Sequence, residues 1–180
     1  MWKFENPVSI VFGNGVFKKL EDIIQNRPYC LVTYNETYFN SLSDELVKLV
    51  GPPKSIINNI TPNPNFITLE KSCACFSASA QDDMVIVALG GGSVIDAAKV
   101  LASSKNGFAP VRHYLETNSG ENQLGCYPII AIPTTAGTGS EVTKWATVWD
   151  TESQKKYSLS RDDLYPSHAV IDPELMLGLP

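Results

Sequence analysis

The sequence predicts an α/β domain: a mostly parallel sheet with helices on both faces, and a small β-hairpin beside it. Three observations carry this prediction. Short β-type runs alternate along the chain with runs of helical periodicity. Two of the β-type runs, MVIVAL (84–89) and YPIIAI (127–132), are apolar throughout, as strands covered on both faces are. Each leads directly into a loop rich in glycine and hydroxyl residues.

The elements follow in order. Val8 to Phe12 reads as a strand and ends at Gly13-Asn14-Gly15. Val16, Phe17, Leu20, Ile23 and Ile24 then fall at helical spacing. Tyr29 to Tyr34 is a buried-type strand. Leu42, Leu46, Val47, Leu49 and Val50 mark a helix that Gly51-Pro52-Pro53 ends. Ser55 to Ile60 is a weaker strand, Thr61-Pro62-Asn63-Pro64 a turn, and Asn65 to Ala80 a helix. The apolar run at 84–89 is a strand and Ser93 to about Ser104 a helix. No element is assigned from there to the strand at 127–132. Lys144 to Trp149 and Lys156 to Ser160 can pair as a hairpin, and Val170-Ile171 forms a last short strand before Asp172-Pro173. No repeat or linker divides the chain, so residues 1–180 read as one domain.

Composition narrows the function classes. Of the 180 residues, 43% are hydrophobic and 18% charged, which fits a soluble globular protein. No apolar stretch approaches the ~18–20 residues needed to span a bilayer, and the start lacks a signal-peptide pattern. A net charge of -5, with basic residues scattered, argues against a nucleic-acid partner. Cys73 and Cys75 would point roughly 200° apart on a helix and have no partners at zinc spacing. With Cys30 and Cys126 they read as reduced thiols of a cytoplasmic protein. The two histidines, His113 and His168, stand far apart and read as structural.

The chemistry concentrates in the two loops. Gly90, Gly91 and Gly92 lie between a strand and a helix, where backbone without Cβ atoms can approach a ligand and N–H groups face an anion. A tight turn would need only one glycine, so the triplet favours a phosphate ligand. It is neither G-x-G-x-x-G nor a P-loop, because Val94-Ile95 follow and no Gly-Lys-Ser/Thr closes it. Ser93 can cap the helix, with Asp96 at capping-box spacing. The second loop, PTTAGTGSEVT (133–143), supplies hydroxyls at Thr134, Thr135, Thr138, Ser140 and Thr143, and Thr138 and Glu141 again have capping-box spacing. Both loops leave the same edge of the sheet, where open α/β sheets bind ligands.

Taken in order, ALGGGSVIDAAK, PTTAGTGSEVT and YPSHAVIDPELMLGLP resemble the iron-containing (group III) alcohol dehydrogenases. FENPVSIVFGNG and TPNPN fit as well, so the similarity runs the length of the chain. The resemblance implies a Rossmann-like, dehydroquinate-synthase-like N-terminal domain, with the active site in a cleft against a helical second domain. It implies hydride transfer between a small alcohol or aldehyde and NAD or NADP, with iron or zinc polarising the substrate oxygen. By the same resemblance, Gly91, Gly92 and Ser93 would hold the cofactor pyrophosphate, and Thr134, Thr135 and Thr138 would line the nicotinamide and ribose. Asp96 would lie near that pocket, and Lys156 would reach the cofactor from the hairpin. Trp145 stands near the nicotinamide, where some relatives carry a smaller polar residue.

Two departures qualify the resemblance. Many NAD-preferring members carry an aspartate after the second strand for the adenosine ribose; this chain has Thr33-Tyr34-Asn35. Tyr34 and Asn35 would therefore border the ribose without that carboxylate, which favours NADP, while Glu36 partly restores the charge. The family's metal ligands, an aspartate and three histidines, belong to the helical domain, which begins after the segment matching DPELMLGLP. His113 and His168 match no ligand motif. Pro180 thus reads as a domain boundary, with no catalytic or metal-ligating residue in this chain, which alone would bind nucleotide and catalyse nothing. An apolar face normally covered by the other half would favour a homo-oligomer. Two readings stay open beside this one: a polyol or sugar-phosphate dehydrogenase or dehydroquinate-synthase-like relative, and a stand-alone nucleotide-binding module.

Overall fold

The computed structural model describes residues 1–2 and 5–177. Phe4 of the opening motif and the boundary read at Leu179-Pro180 lie outside the described residues. Six parallel strands form one sheet: β1 (Ser9–Phe12), β2 (Tyr29–Val32), β3 (Ser55–Ile57), β4 (Val85–Gly90), β5 (Ile129–Pro133) and β8 (His168–Ile171). Their order is β1-β8-β5-β4-β2-β3. Strands β6 (Trp145–Asp150) and β7 (Lys155–Ser160) form the separate antiparallel hairpin. Parallel sheet, helices and hairpin therefore match the sequence expectation.

Alternation along the central strands divides the core. Tyr29 and Leu31 of β2, Val85, Val87 and Leu89 of β4, and Ile130 and Ile132 of β5 face one side. There α1 (Leu20–Ile24) and α2 (Thr37–Val50) cover them, through Leu20, Ile24, Leu42 and Leu46. Cys30 and Val32, Ile86 and Ala88, and Ile129 and Ala131 face the other side. Three helices and the hairpin cover that side: α3 (Phe66–Ser79), α4 (Gly92–Ser103) and α5 (Phe108–Thr117). Small residues Ala97, Ala98 and Ala102 let α4 sit between sheet and hairpin, and it is buried nearly all round.

Helix α5 is the element that the sequence reading does not assign. Pro110 in its first turn, where a missing N–H costs little, disguises it as a loop. Its Phe108 meets Phe66 of α3 edge-on at 5.6 Å, and Phe66 stacks on Tyr157 of β7 at 5.4 Å. Those rings anchor the hairpin. Because side chains alternate, Tyr157 on the core side leaves Lys156 on the other face.

Asp172, 2% exposed, joins the beginning of the chain to its end. Its carboxylate accepts from the amides of Gly15, Phe17 and Glu174, each at 3.1 Å. Asp172→Ala leaves these donors unpaired, so it should lower unfolding free energy by about 2–4 kcal/mol in urea titration. Asp172→Asn, which keeps one acceptor oxygen, should recover part of that loss.

Candidate functional site

The ends of β2, β4 and β5 create the site. The connection from β2 runs through α2 on one face and that from β4 through α4 on the other, so a crevice opens between the two strand ends. A cleft of about 630 Å³ occupies it. Tyr34, Gly91, Gly92, Ser93, Asp96, Thr135, Thr138 and Lys156 all line this cleft, so eight of the predicted site residues meet there. The other two do not line it. Thr134 is buried beneath the loop, and its Oγ1 has no hydrogen-bond partner among the described residues. Asn35 is exposed in an adjoining hollow of about 370 Å³, which also takes in Tyr34, Glu36 and residues 58–62.

The glycine triplet does not owe its composition to backbone conformation. None of the three has a left-handed φ. Close packing requires them. A Cβ on Gly90 would lie 2.6 Å from Val94 Cγ2, one on Gly91 3.1 Å from Thr135 Oγ1, and one on Gly92 2.9 Å from Thr138 Cγ2 and Oγ1. The first loop thus gives up side chains so that the threonines of the second can stand against it.

Helix α4 begins at Gly92, and Gly91 is its cap residue, without a side-chain cap bond. Ser93 therefore does not cap the helix. It lies within the first turn, and its Oγ accepts from the Asn63 amide at 3.2 Å. Asp96 does not reach back to the cap either: its Oδ2 accepts from the Thr147 amide at 2.9 Å, across to the hairpin. Its Oδ1 is buried and unpartnered among the described residues. Burial pushes the Asp96 carboxyl above the usual range, while the Thr147 amide and the Lys99 ammonium pull it back. Thr138 Oγ1 accepts from the Ser140 amide at 3.3 Å, closing a local turn before the 3-10 helix Ser140–Val142.

The hairpin supplies the far wall. Trp145, Thr147 and Trp149 alternate on its cleft face, while Ala146 and Val148 enter the core. The Lys156 ammonium lies 5.6 Å from the Trp149 ring centroid, within cation–π range. Trp149 Nε1 is a buried donor without a partner among the described residues. Sequence reasoning missed Asn63, Thr147 and Trp149. The period-two pattern from Trp145 to Trp149 would have found the last two, because it places them on one face with Trp145.

It also missed Lys99, the lysine that ends ALGGGSVIDAAK. This side chain is fully buried. Its Nζ donates to the carbonyls of Ser140 at 2.8 Å and Trp145 at 2.7 Å. Burial lowers its pKa to about 8, opposed by the charges of Asp96 and Glu141. Among the described residues, no group of three or more His, Cys, Asp or Glu side chains could hold a metal ion.

The sequence pattern of the iron-containing alcohol dehydrogenases matches residues 7–173. The chain is 36% identical over 126 residues to a 1-propanol dehydrogenase of Salmonella typhimurium, covering 70% of this chain and 30% of that protein. It is 32% identical over 178 residues to the lactaldehyde reductase of Escherichia coli, covering 94% of this chain and 45% of that one. Its fold follows that of a sulfoacetaldehyde reductase from Bifidobacterium kashiwanohense solved with NAD+, with a TM-score of 0.88 and 29% identity, over 100% of this chain and 48% of the other. The chain thus spans less than half the length of these relatives. The motif order, the cleft at the strand ends and these similarities agree: the chain belongs to the iron-containing alcohol dehydrogenase family.

Proposed function

We propose that this chain is the dinucleotide-holding part of an NAD-linked, metal-dependent alcohol dehydrogenase or aldehyde reductase acting on a small substrate. One observation carries the reading. The glycine start of α4 opens into a cleft, lined also by Asp96 and Lys156, at the topological switch of a parallel sheet. A helix of 12 residues presents N–H groups without intrahelical acceptors at Gly92 and Ser93, which suits a pyrophosphate. Lys156 offers a cation across the cleft, and Asp96 lines it beside the glycine start.

When bound, the nicotinamide supplies or accepts the hydride. The chain's own residues bind and orient it: Thr135 and Thr138 form one wall, and Trp145, 54% exposed, stands at the rim. A metal's ligands would come from outside the described residues. The cysteines are free, which supports a reducing, cytoplasmic setting, and no helix among the described residues is long and apolar enough to cross a membrane.

Cofactor choice follows from the adjoining hollow. It shares Tyr34 with the main cleft, so an adenosine can sit there while the pyrophosphate reaches α4. Its lining holds no lysine or arginine, and its one charged residue is Glu36. A ribose diol suits that lining; a 2′-phosphate would face a carboxylate without a counter-charge. The geometry therefore favours NAD, although the missing aspartate alone points to NADP.

Calorimetry should find NADH bound about tenfold or more tightly than NADPH, and Glu36→Arg should narrow that gap. NADPH binding equal to or tighter than NADH would refute the assignment. Gly92→Ala forces a Cβ against Thr138, so NADH affinity should fall by about tenfold or more with a stability loss of only about 1–3 kcal/mol. Thermal melts run beside the titrations separate those two effects.

A further inference from the structure

The stretch from Ser140 to Thr147 forms much of the cleft's far side, yet none of it belongs to the six-stranded sheet. Helix α4 holds it instead. Lys99 accounts for the carbonyls of Ser140 and Trp145, and Asp96, one turn earlier, for the amide of Thr147. One ammonium therefore fixes both the end of the second loop and the first residue of the hairpin. An apolar residue of similar length would leave both carbonyls without this donor. Burying an ammonium is costly, and such groups are weak contributors to stability. The reason for a lysine lies in what it holds.

We propose that Lys99 is a positioning residue of the dinucleotide site: its ammonium sets the far wall against the glycine loop, and its buried charge favours the anionic ligand. This inference rests on the nucleotide-binding reading above. The charged groups acting on Lys99 are Asp96 of its own helix and Glu141 of the 3-10 turn, while Lys156 of β7 acts on Asp96. The lowered pKa of about 8 brings loss of the proton into an accessible range. A neutral amine still has two N–H donors, enough for both carbonyls, so above pH 8 the wall stays and only the charge leaves. A bound pyrophosphate favours the charged form, so binding takes up protons there and affinity falls as pH rises.

The test is NADH titration of the full chain between pH 7 and 9.5, with Lys99→Met and Lys99→Arg beside it. Wild-type affinity should fall about threefold or more across that range. Lys99→Met should bind about tenfold more weakly at pH 7 and show a flatter profile, whereas Lys99→Arg should recover part of the affinity without the fall. Hydrogen exchange in Lys99→Met should quicken at residues 140–147 while the central strands keep their protection. Wild-type-like affinity in Lys99→Met, or the same pH slope in Lys99→Arg, overturns the inference. If Lys99→Met does not fold, a flat wild-type profile overturns it equally. If wild type binds no NADH at pH 7, the nucleotide reading fails and this inference fails with it.

Stability of the free chain should move with the opposite sign. From about pH 8 to the ordinary value of 10.5 the unfolded chain binds more protons at Lys99 than the fold does. Wild type should therefore gain on Lys99→Met in urea midpoint as pH rises through 8; a constant difference between them would overturn the buried-charge part of the inference.

Discussion

The site depends on one close approach, that of Gly91 and Gly92 to the threonines of the second loop. An added methyl group would clash at Gly90 and Gly92 and would crowd Thr135 at Gly91. Gly91 and Gly92 give their space to Thr135 and Thr138, and Gly90 gives its own to Val94 in the helix behind. A helix start with exposed N–H groups is common among α/β domains. Here a second wall of hydroxyls is packed directly against it, and the two together line the crevice between β2 and β4.

Helix α4 organises that wall as well as opening its first turn into the cleft. Its small residues let it lie between sheet and hairpin, and only two of its side chains bring charge into the interior side of the site. Asp96 and Lys99, three residues apart, share one face of the helix. Each bonds to backbone of the neighbouring layer, so loop geometry is transmitted through hydrogen bonds from a rigid element. The aromatic contacts of Phe66 with Phe108 and Tyr157 hold the hairpin from its other side. The cleft is thus braced by polar contacts within and ring packing without.

Much of this was legible in the chain. Continuous apolar runs at 84–89 and 127–132 became the two central strands, because only residues apolar on both faces can be covered twice. Eight of ten expected site residues line the cleft because loops that follow parallel strands must emerge at the same edge. Local signals were less reliable. Ser93 and Asp96 have capping spacing, but starting the helix at Gly92 turned Ser93 to the Asn63 amide and Asp96 to the hairpin. Helix α5 was hidden because a proline in a first turn looks like a loop.

By itself, then, the sequence determined which strands are buried, the two loops that line the cleft and the family, since periodicity and glycine placement are properties of neighbours along the chain. It could not say why Gly91 and Gly92 stand beside Gly90, because the methyl groups those two avoid would strike residues over 40 positions away. Nor could it distinguish Lys99 from a surface lysine at the end of an amphipathic run. Only tertiary structure brought the carbonyls of Ser140 and Trp145 to its ammonium and folded the hairpin over it. Burial is a property of what packs on a residue, and that is decided by distant segments meeting.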